Sequence, residues 1–207
     1  MIIKWFIEAC CQDLESVAHA VEAGAKRIEL CQNLACGGIT PTDDMIRMAL
    51  ELAGKVPVNV LVRPRAGDFV YSPEEVQQMI DSIRKCKELG VNGVVIGALK
   101  ENGSIDKAVM AQLIMEARPL HITFHRAFDE CSDPCNALEV IIRLGIERLL
   151  TSGHKANAYE GRYALKDLVK QAASRIVIMP GCGITADNLE EIAYASGASE
   201  FHGSRII

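Results

Sequence analysis

The chain lacks an excess of positive charge, since its 22 Lys and Arg are outnumbered by 27 Asp and Glu, for a net charge of −5. A nucleic-acid footprint needs the opposite balance, and no basic stripe with interleaved aromatics runs through a sequence that is 5% aromatic. Long apolar runs are also missing. No stretch approaches the roughly 20 residues that span a bilayer, and no basic amphipathic face marks a membrane-surface helix. There is no Gly-x-Gly-x-x-Gly and no P-loop, which leaves a dinucleotide or ATP site without support. The N-terminus reads as a strand and not as a secretory leader, so the eight cysteines are expected as reduced thiols in the cytoplasm.

What the chain does have is rhythm. Eight short apolar runs, at 5–10, 27–31, 57–63, 91–97, 120–126, 147–152, 175–181 and 198–203, recur about 25 to 30 residues apart, the length of one βα unit. Between them lie helix-patterned stretches at 13–24, 42–54, 72–90, 106–118, 133–145, 160–174 and 185–197. Several open on Ser, Thr or Asp, whose side chains accept the first free amide protons, and several stop at Gly, which tolerates a left-handed cap. Strict alternation predicts a single α/β domain over 1–207, a TIM (β/α)8 barrel, with a doubly wound sheet as the runner-up. The last run ends almost at Ile207, so seven helices are expected for eight grooves, and a homodimer is expected to cover the remaining flank.

Alternation within a barrel strand sends one set of side chains to the helices and the other to the interior. Ile7 and Ala9 then face the helices, whereas Phe6, Glu8 and Cys10 face inward. Arg27, Glu29 and Cys31 are expected inside from the second run, and Asn59, Leu61 and Arg63 from the third. The fifth run contributes Thr123 and His125, and the eighth Glu200 and His202. The sixth and seventh runs are too uniformly apolar for this argument. Three interior carboxylates cannot stand unpaired at low cost, and Arg27, Arg63 and the two histidines are their candidate partners.

Several stretches are familiar: Ile-Glu-Leu-Cys-Gln-Asn-Leu at 28–34, Gly-Gly-Ile-Thr-Pro at 37–41 and Val-Arg-Pro-Arg-Ala-Gly-Asp-Phe at 62–69. Thr-Phe-His-Arg-Ala-Phe-Asp follows at 123–129, Leu-Thr-Ser-Gly at 150–153, Met-Pro-Gly-Cys-Gly-Ile at 179–184 and Glu-Phe-His at 200–202. In this order they resemble the CutC family over essentially the whole chain. The resemblance implies a cytosolic TIM barrel associated with copper homeostasis and copper binding. Cys36 and Cys182 depart from the family pattern, so the resemblance assigns them no shared role.

Two chemistries fit the strand ends. Cys10 and Cys31, on adjacent strands, could hold Cu(I) between two sulfurs, while a third ligand such as His202 would favour Zn(II); equally, both could be small buried strand residues. Cys131 and Cys135 flank a helix start and read as a chance pair in a capping loop. The alternative is an enzyme acting on a small anionic, possibly phosphorylated, substrate. Arg63 and Arg65 offer guanidinium forks for carboxylate or phosphate, Asp68 could fix them, and Arg126 stands beside His125. His125, Glu8 and Glu29 are candidate acids and bases. Gly181 and Gly183 after the seventh run, with Ser204 and His202 at the eighth, occupy the usual TIM-barrel phosphate position, helped by a helix starting near Thr185.

Overall fold

The computed structural model describes residues 5–207, in which the apolar runs form eight strands: β1 (Phe6–Cys11), β2 (Arg27–Leu30), β3 (Val58–Leu61), β4 (Gly93–Ile96), β5 (His121–Phe124), β6 (Arg148–Thr151), β7 (Val177–Pro180) and β8 (Glu200–Gly203). Between them run α1 (Leu14–Glu22), α2 (Asp43–Ala53), α3 (Pro73–Leu89), α4 (Lys107–Ala117), α5 (Pro134–Arg143), α6 (Ala158–Ala172) and α7 (Leu189–Ser196). The first five helices open on the acceptors that the sequence offers. Asp13, Thr42, Ser72, Asp106 and Asp133 each take a backbone N–H of the first turn on the side chain. The sixth helix begins earlier than expected because Asn157, not Glu160, caps it. The seventh begins later. Residues 184–188 form a turn in which the Asn188 side chain accepts from the Thr185 N–H, so the positive end of α7 lies at Leu189 and not at Thr185.

All ladders are parallel, in the order β7-β6-β5-β4-β3-β2-β1-β8. This is a (β/α)8 barrel, closed except for one seam. Strands β7 and β8 lie side by side, yet no ladder joins them among the described residues; a single bridge, Thr185 to Arg205, stitches the seam beyond their ends. Val177 and Gly181 give their N–H groups to Glu147 and Thr151 on the β6 side, so by alternation Ile178 and residue 180 would donate toward β8, and Pro180 has no N–H to give. Seven helices surround the eight strands among the described residues. On the flank between α7 and α1, Trp5 packs edge-to-face on Phe201 and Tyr194. No helix of the described residues is long and apolar enough to cross a membrane.

Parity decides the contents of the barrel. Ile7, Ala9, Ile28, Leu30, Val58, Val60, Val62, Ile122, Phe124 and Phe201 join the large core between strands and helices. The opposite set faces the axis, where Cys10, Cys31, Leu61 and Val95 form a separate small cluster. Below that cluster lies an ionic layer. Arg27 binds Glu8 through Nε and Glu200 through Nη2 at 2.6 Å, and Arg148 binds the same Glu200 at 2.7 Å. The pairing of Arg27 with buried Glu8 and half-buried Glu200 agrees with sequence parity; Arg148, at the start of β6, is the member that parity did not place.

Removing one partner from such a layer strands a buried charge, which costs about 3–5 kcal/mol. Arg27→Met is therefore expected to lower unfolding stability by that amount in urea titration. Arg47→Met, which removes an exposed ion pair with Asp44, should change it by less than about 1 kcal/mol. Equal effects would show that the inner layer contributes nothing special.

Candidate functional site

The strand C-termini open into a cavity of about 560 Å³. Its floor is built by β1, β2 and β8. Glu8 is fully buried and spoken for: it pairs with Arg27 and takes a 2.8 Å hydrogen bond from His202 Nδ1. Burial pushes its carboxyl up, but the His202 hydrogen bond and the Arg27 charge outweigh that and hold it at about 2. Glu29 has no such support. It lies one step higher, with Oε2 3.7 Å from His202 Nδ1 and no guanidinium bound to it among the described residues. Burial, with the neighbouring Glu8 charge, pushes it up to about 7 against the opposing pull of His202 and Arg27. Burial works against a charged His202, yet Glu29 and Glu8 more than compensate and raise its pKa. Glu8, Glu29 and Glu200 outnumber Arg27 and Arg148 by one charge. A single proton, carried by Glu29 or His202, balances this floor cluster near neutral pH.

Above this pair sit the thiols. Cys10 and Cys31 are both buried in the small inner cluster, and the neighbouring Cys31 thiol together with burial raises the Cys10 thiol well above its usual range. Cys10 Sγ, a Glu29 oxygen and a His202 ring nitrogen lie within 4.8 Å of one another. Glu8 occupies His202 Nδ1, which leaves Nε2 as the nitrogen free to ligate. Among the described residues all eight cysteines are free. Cys131 and Cys86 are buried in the helix-side core, and Cys135 is exposed.

On the opposite wall, β3 and β5 deliver Arg63 and His125. Arg63 is 6% exposed, and its guanidinium donates to the carbonyls of Gly38 at 3.0 Å, Cys36 at 3.4 Å and Gly67 at 2.6 Å while stacking on Phe69. It pairs with no carboxylate among the described residues, and so does not neutralise Glu29. These bonds strap the β2–α2 loop over the cavity, and a Cβ at Gly37 would sit 3.0 Å from Arg63 Nη1. His125 accepts the Ala127 N–H on Nδ1 at 3.2 Å. Burial first, and the Arg63 charge second, push its pKa down to about 3, so the ring is neutral. A neutral imidazole whose Nδ1 is an acceptor carries its proton on Nε2. The ring has room because strand β4 is followed by Gly97, where a Cβ would approach Cε1 to 2.6 Å.

Other expected residues fall in three groups. Arg126, Gly183, His202 and Ser204 line the cavity. Arg126 is tied to Asp129 at 2.9 Å, and Asp129 in turn collects Thr151, Ser152 and the His154 N–H, fixing the β6 loop against the β5 loop. Arg65 and Asp68 pair with each other, and Arg65 reaches Glu75 on α3, so both lie outside the cavity lining. Gly181 gives its N–H to Thr151 and makes space for Leu150 and His202; a Cβ there would collide with Leu150. Sequence reasoning missed Lys155, Arg205 and His154 in the lining. His154 carries a signal only the fold reveals, a left-handed backbone with φ of 58°, and its ring packs edge-on against Phe128.

Four buried polar atoms of lining residues have no hydrogen-bond partner among the described residues: Glu29 Oε2, Arg63 Nε, His125 Nε2 and His154 Nε2. Buried polar groups are nearly always paired, and each exception asks for a reason. The arrangement offers two donors, one carboxyl poised between its charge states and a soft sulfur within one cavity.

Known proteins match nearly the whole length of the chain. A family model described as the CutC family matches residues 5–207. A family protein CutC from Parabacteroides distasonis is 47% identical over 202 residues, covering 98% of this chain and 83% of that relative. A human copper homeostasis protein cutC homolog is 47% identical over 200 residues, covering 97% of this chain and 73% of the relative. A solved CutC structure from Streptococcus agalactiae superposes with a TM-score of 0.94 at 34% identity, covering 98% of this chain and 100% of that one.

The raised Glu29 carboxyl makes a pH prediction. Between the unfolded value of 4.5 and the folded value of about 7 the native state holds the extra proton, so its stability falls as pH rises through that window. Against Glu29→Gln, which cannot titrate, the wild type should lose on the order of 3 kcal/mol between pH 5 and pH 8 in chemical denaturation. A difference that stays flat across that range would contradict the assignment.

Proposed function

The chain belongs to the CutC family, and from that premise we propose that its barrel mouth binds and turns over a small anionic molecule. The four partnerless buried atoms on one cavity carry this reading. A merely structural barrel core would pair them or replace them with apolar groups, because an unmet buried donor or acceptor costs about 1–3 kcal/mol. Arg63 takes the anionic end of the ligand, with Arg126, Lys155 and Arg205 at the rim drawing it in. Gly183 and Ser204 at the β7 and β8 ends provide room and polar groups for a phosphate, if the substrate bears one. Glu29, with a pKa of about 7, is matched to give or take a proton near neutral pH, and His202 shares that proton. Glu8 holds His202 in place rather than facing the ligand. A second copy covering the flank beside Trp5 would make the working unit a homodimer in the cytoplasm; light scattering that returns a one-chain mass would refute the dimer.

A second reading has its own observation. The Cys10, Glu29 and His202 donors within 4.8 Å fit a metal ion, and relatives carry the name copper homeostasis protein cutC homolog. The sulfur, nitrogen and oxygen set suits a borderline divalent ion such as Zn(II); Cu(I), which favours two sulfurs, would be held by Cys10 with Cys31. A bound ion would supply positive charge opposite Arg63 and draw the proton from Cys10. Because that thiol starts protonated, uptake must release a proton and strengthen as pH rises.

Two assays separate the readings. In calorimetry at low salt, inorganic phosphate or malonate should bind the wild type, and Arg63→Met should weaken binding by about tenfold or more, while Cys10→Ser with Cys31→Ser leaves it unchanged. Failure of a broad panel of phosphorylated and carboxylated metabolites to bind would refute the anion site. For metal, the reduced wild type should compete with a Cu(I) chelator more strongly at pH 8 than at pH 6, and the double Ser variant should not compete; no competition by the wild type would refute direct copper binding.

A further inference from the structure

The Arg63 and His125 wall is more specific than a general anion site. Both side chains are more than nine-tenths buried, both pack on the ring of Phe69 at 4.8 and 4.9 Å, and each carries one buried N–H, Nε of Arg63 and Nε2 of His125, that no group among the described residues accepts. The other nitrogens of both groups are committed. Arg63 Nη1 and Nη2 hold backbone carbonyls of two loops, and His125 Nδ1 holds the Ala127 N–H. Neither side chain can therefore swing to follow a ligand. This is a rigid pair of donors, built for an acceptor of fixed position.

Accepting the mouth as a ligand site, as above, we propose that Arg63 and His125 together bind one oxygen on a trigonal carbon, a carboxylate or carbonyl of the substrate, with His125 serving as a neutral hydrogen-bond donor and not as a proton carrier. A proton carrier needs a ring that gains and loses charge near neutral pH. This ring is enclosed, lies beside a guanidinium and has Nδ1 pinned as an acceptor, so protonating it would set two positive charges side by side in a buried wall. As a donor it needs no change of charge at all. A fixed donor pair of this kind suits an oxygen on which negative charge develops, because neither N–H has to move as the charge grows.

The test uses the full chain, labelled with nitrogen-15, and reads the His125 ring in long-range proton–nitrogen spectra. Without ligand, the ring should remain neutral with its proton on Nε2 from pH 5 to pH 8. Acetate, acetamide and inorganic phosphate are then titrated as separate probes. Acetate should shift the Nε2 resonance, and a shift with acetamide as well would assign a carbonyl in addition to a carboxylate. His125→Gln, whose amide nitrogen can stand in for Nε2–H, should hold acetate within about threefold of the wild type, whereas His125→Leu should weaken it about tenfold. Gly97→Ala, which displaces the ring from outside the site, should match His125→Leu. Urea midpoints confirm that each variant is folded.

A proton found on Nδ1, a ring that titrates above pH 5, or equal acetate affinity in the Gln and Leu variants would overturn the proposal. So would a response to phosphate with none to acetate or acetamide. Probes that bind elsewhere in the mouth and leave Nε2 unmoved would sustain the broader reading and refute this one; a panel in which none of the probes binds would count against both.

Discussion

Charge buried inside the barrel is the constraint from which the rest follows. A low-dielectric interior tolerates ionised groups only when they are paired and hydrogen-bonded, and the lower layer of this barrel meets that demand: Arg27 is shared by Glu8 and Glu200, and Arg148 closes the network on Glu200. That closure uses up the guanidiniums. Glu29, one step nearer the mouth, is left with a histidine whose Nδ1 already serves Glu8. Its carboxyl is thereby held near the point of protonation, and the strongest chemical potential of the site is a consequence of how the layer beneath it is satisfied.

The mouth above is the reverse of the floor. Arg63 and His125 are fixed through some of their atoms and left open through others, so rigidity and unmet hydrogen bonding occur in the same side chains. Local rules of satisfaction are commonly broken at functional sites and kept elsewhere. The loops carry the same signature. Asp129 gathers donors from β6 and its loop, Arg63 straps the β2–α2 loop, and His154 adopts a left-handed backbone that non-glycine residues seldom take.

Much of this was legible in the sequence because two periodicities survive folding almost unchanged. The βα repeat predicted the barrel, and the two-residue alternation placed Glu8, Cys10, Glu29, Cys31, Arg63, His125 and His202 on the inner face, where the structure has them. Alternation gives little guidance in a run as short as Glu-Arg-Leu-Leu-Thr-Ser, where adjacent Leu149 and Leu150 cover both faces, and the pairing of Arg148 with Glu200 becomes visible only in the fold. Partnerships were less legible than positions. Arg63 was expected to offset a carboxylate and instead holds carbonyls, because the turns at Gly37 and Gly67 that present those carbonyls exist only in the folded loops. Arg65 and Asp68 share the motif of Arg63, but the chain direction after Pro64 turns them toward Glu75 on α3. The tautomer of His125 depends on a single N–H two residues away, which no pattern of residue types encodes.

The metal and anion readings meet at Glu29 and His202, which line the cavity and also lie within ligating distance of Cys10. Both draw on the same unmet demand, so the decisive observation is what occupies that space. A high-resolution crystal structure of the reduced, full chain, soaked in acetate under zinc- and copper-free conditions, is the most direct measurement. The account predicts a carboxylate with one oxygen within hydrogen-bond distance of both Arg63 Nε and His125 Nε2, and the remainder of the cavity open toward Glu29. Ordered water alone at those two nitrogens at saturating acetate would contradict it.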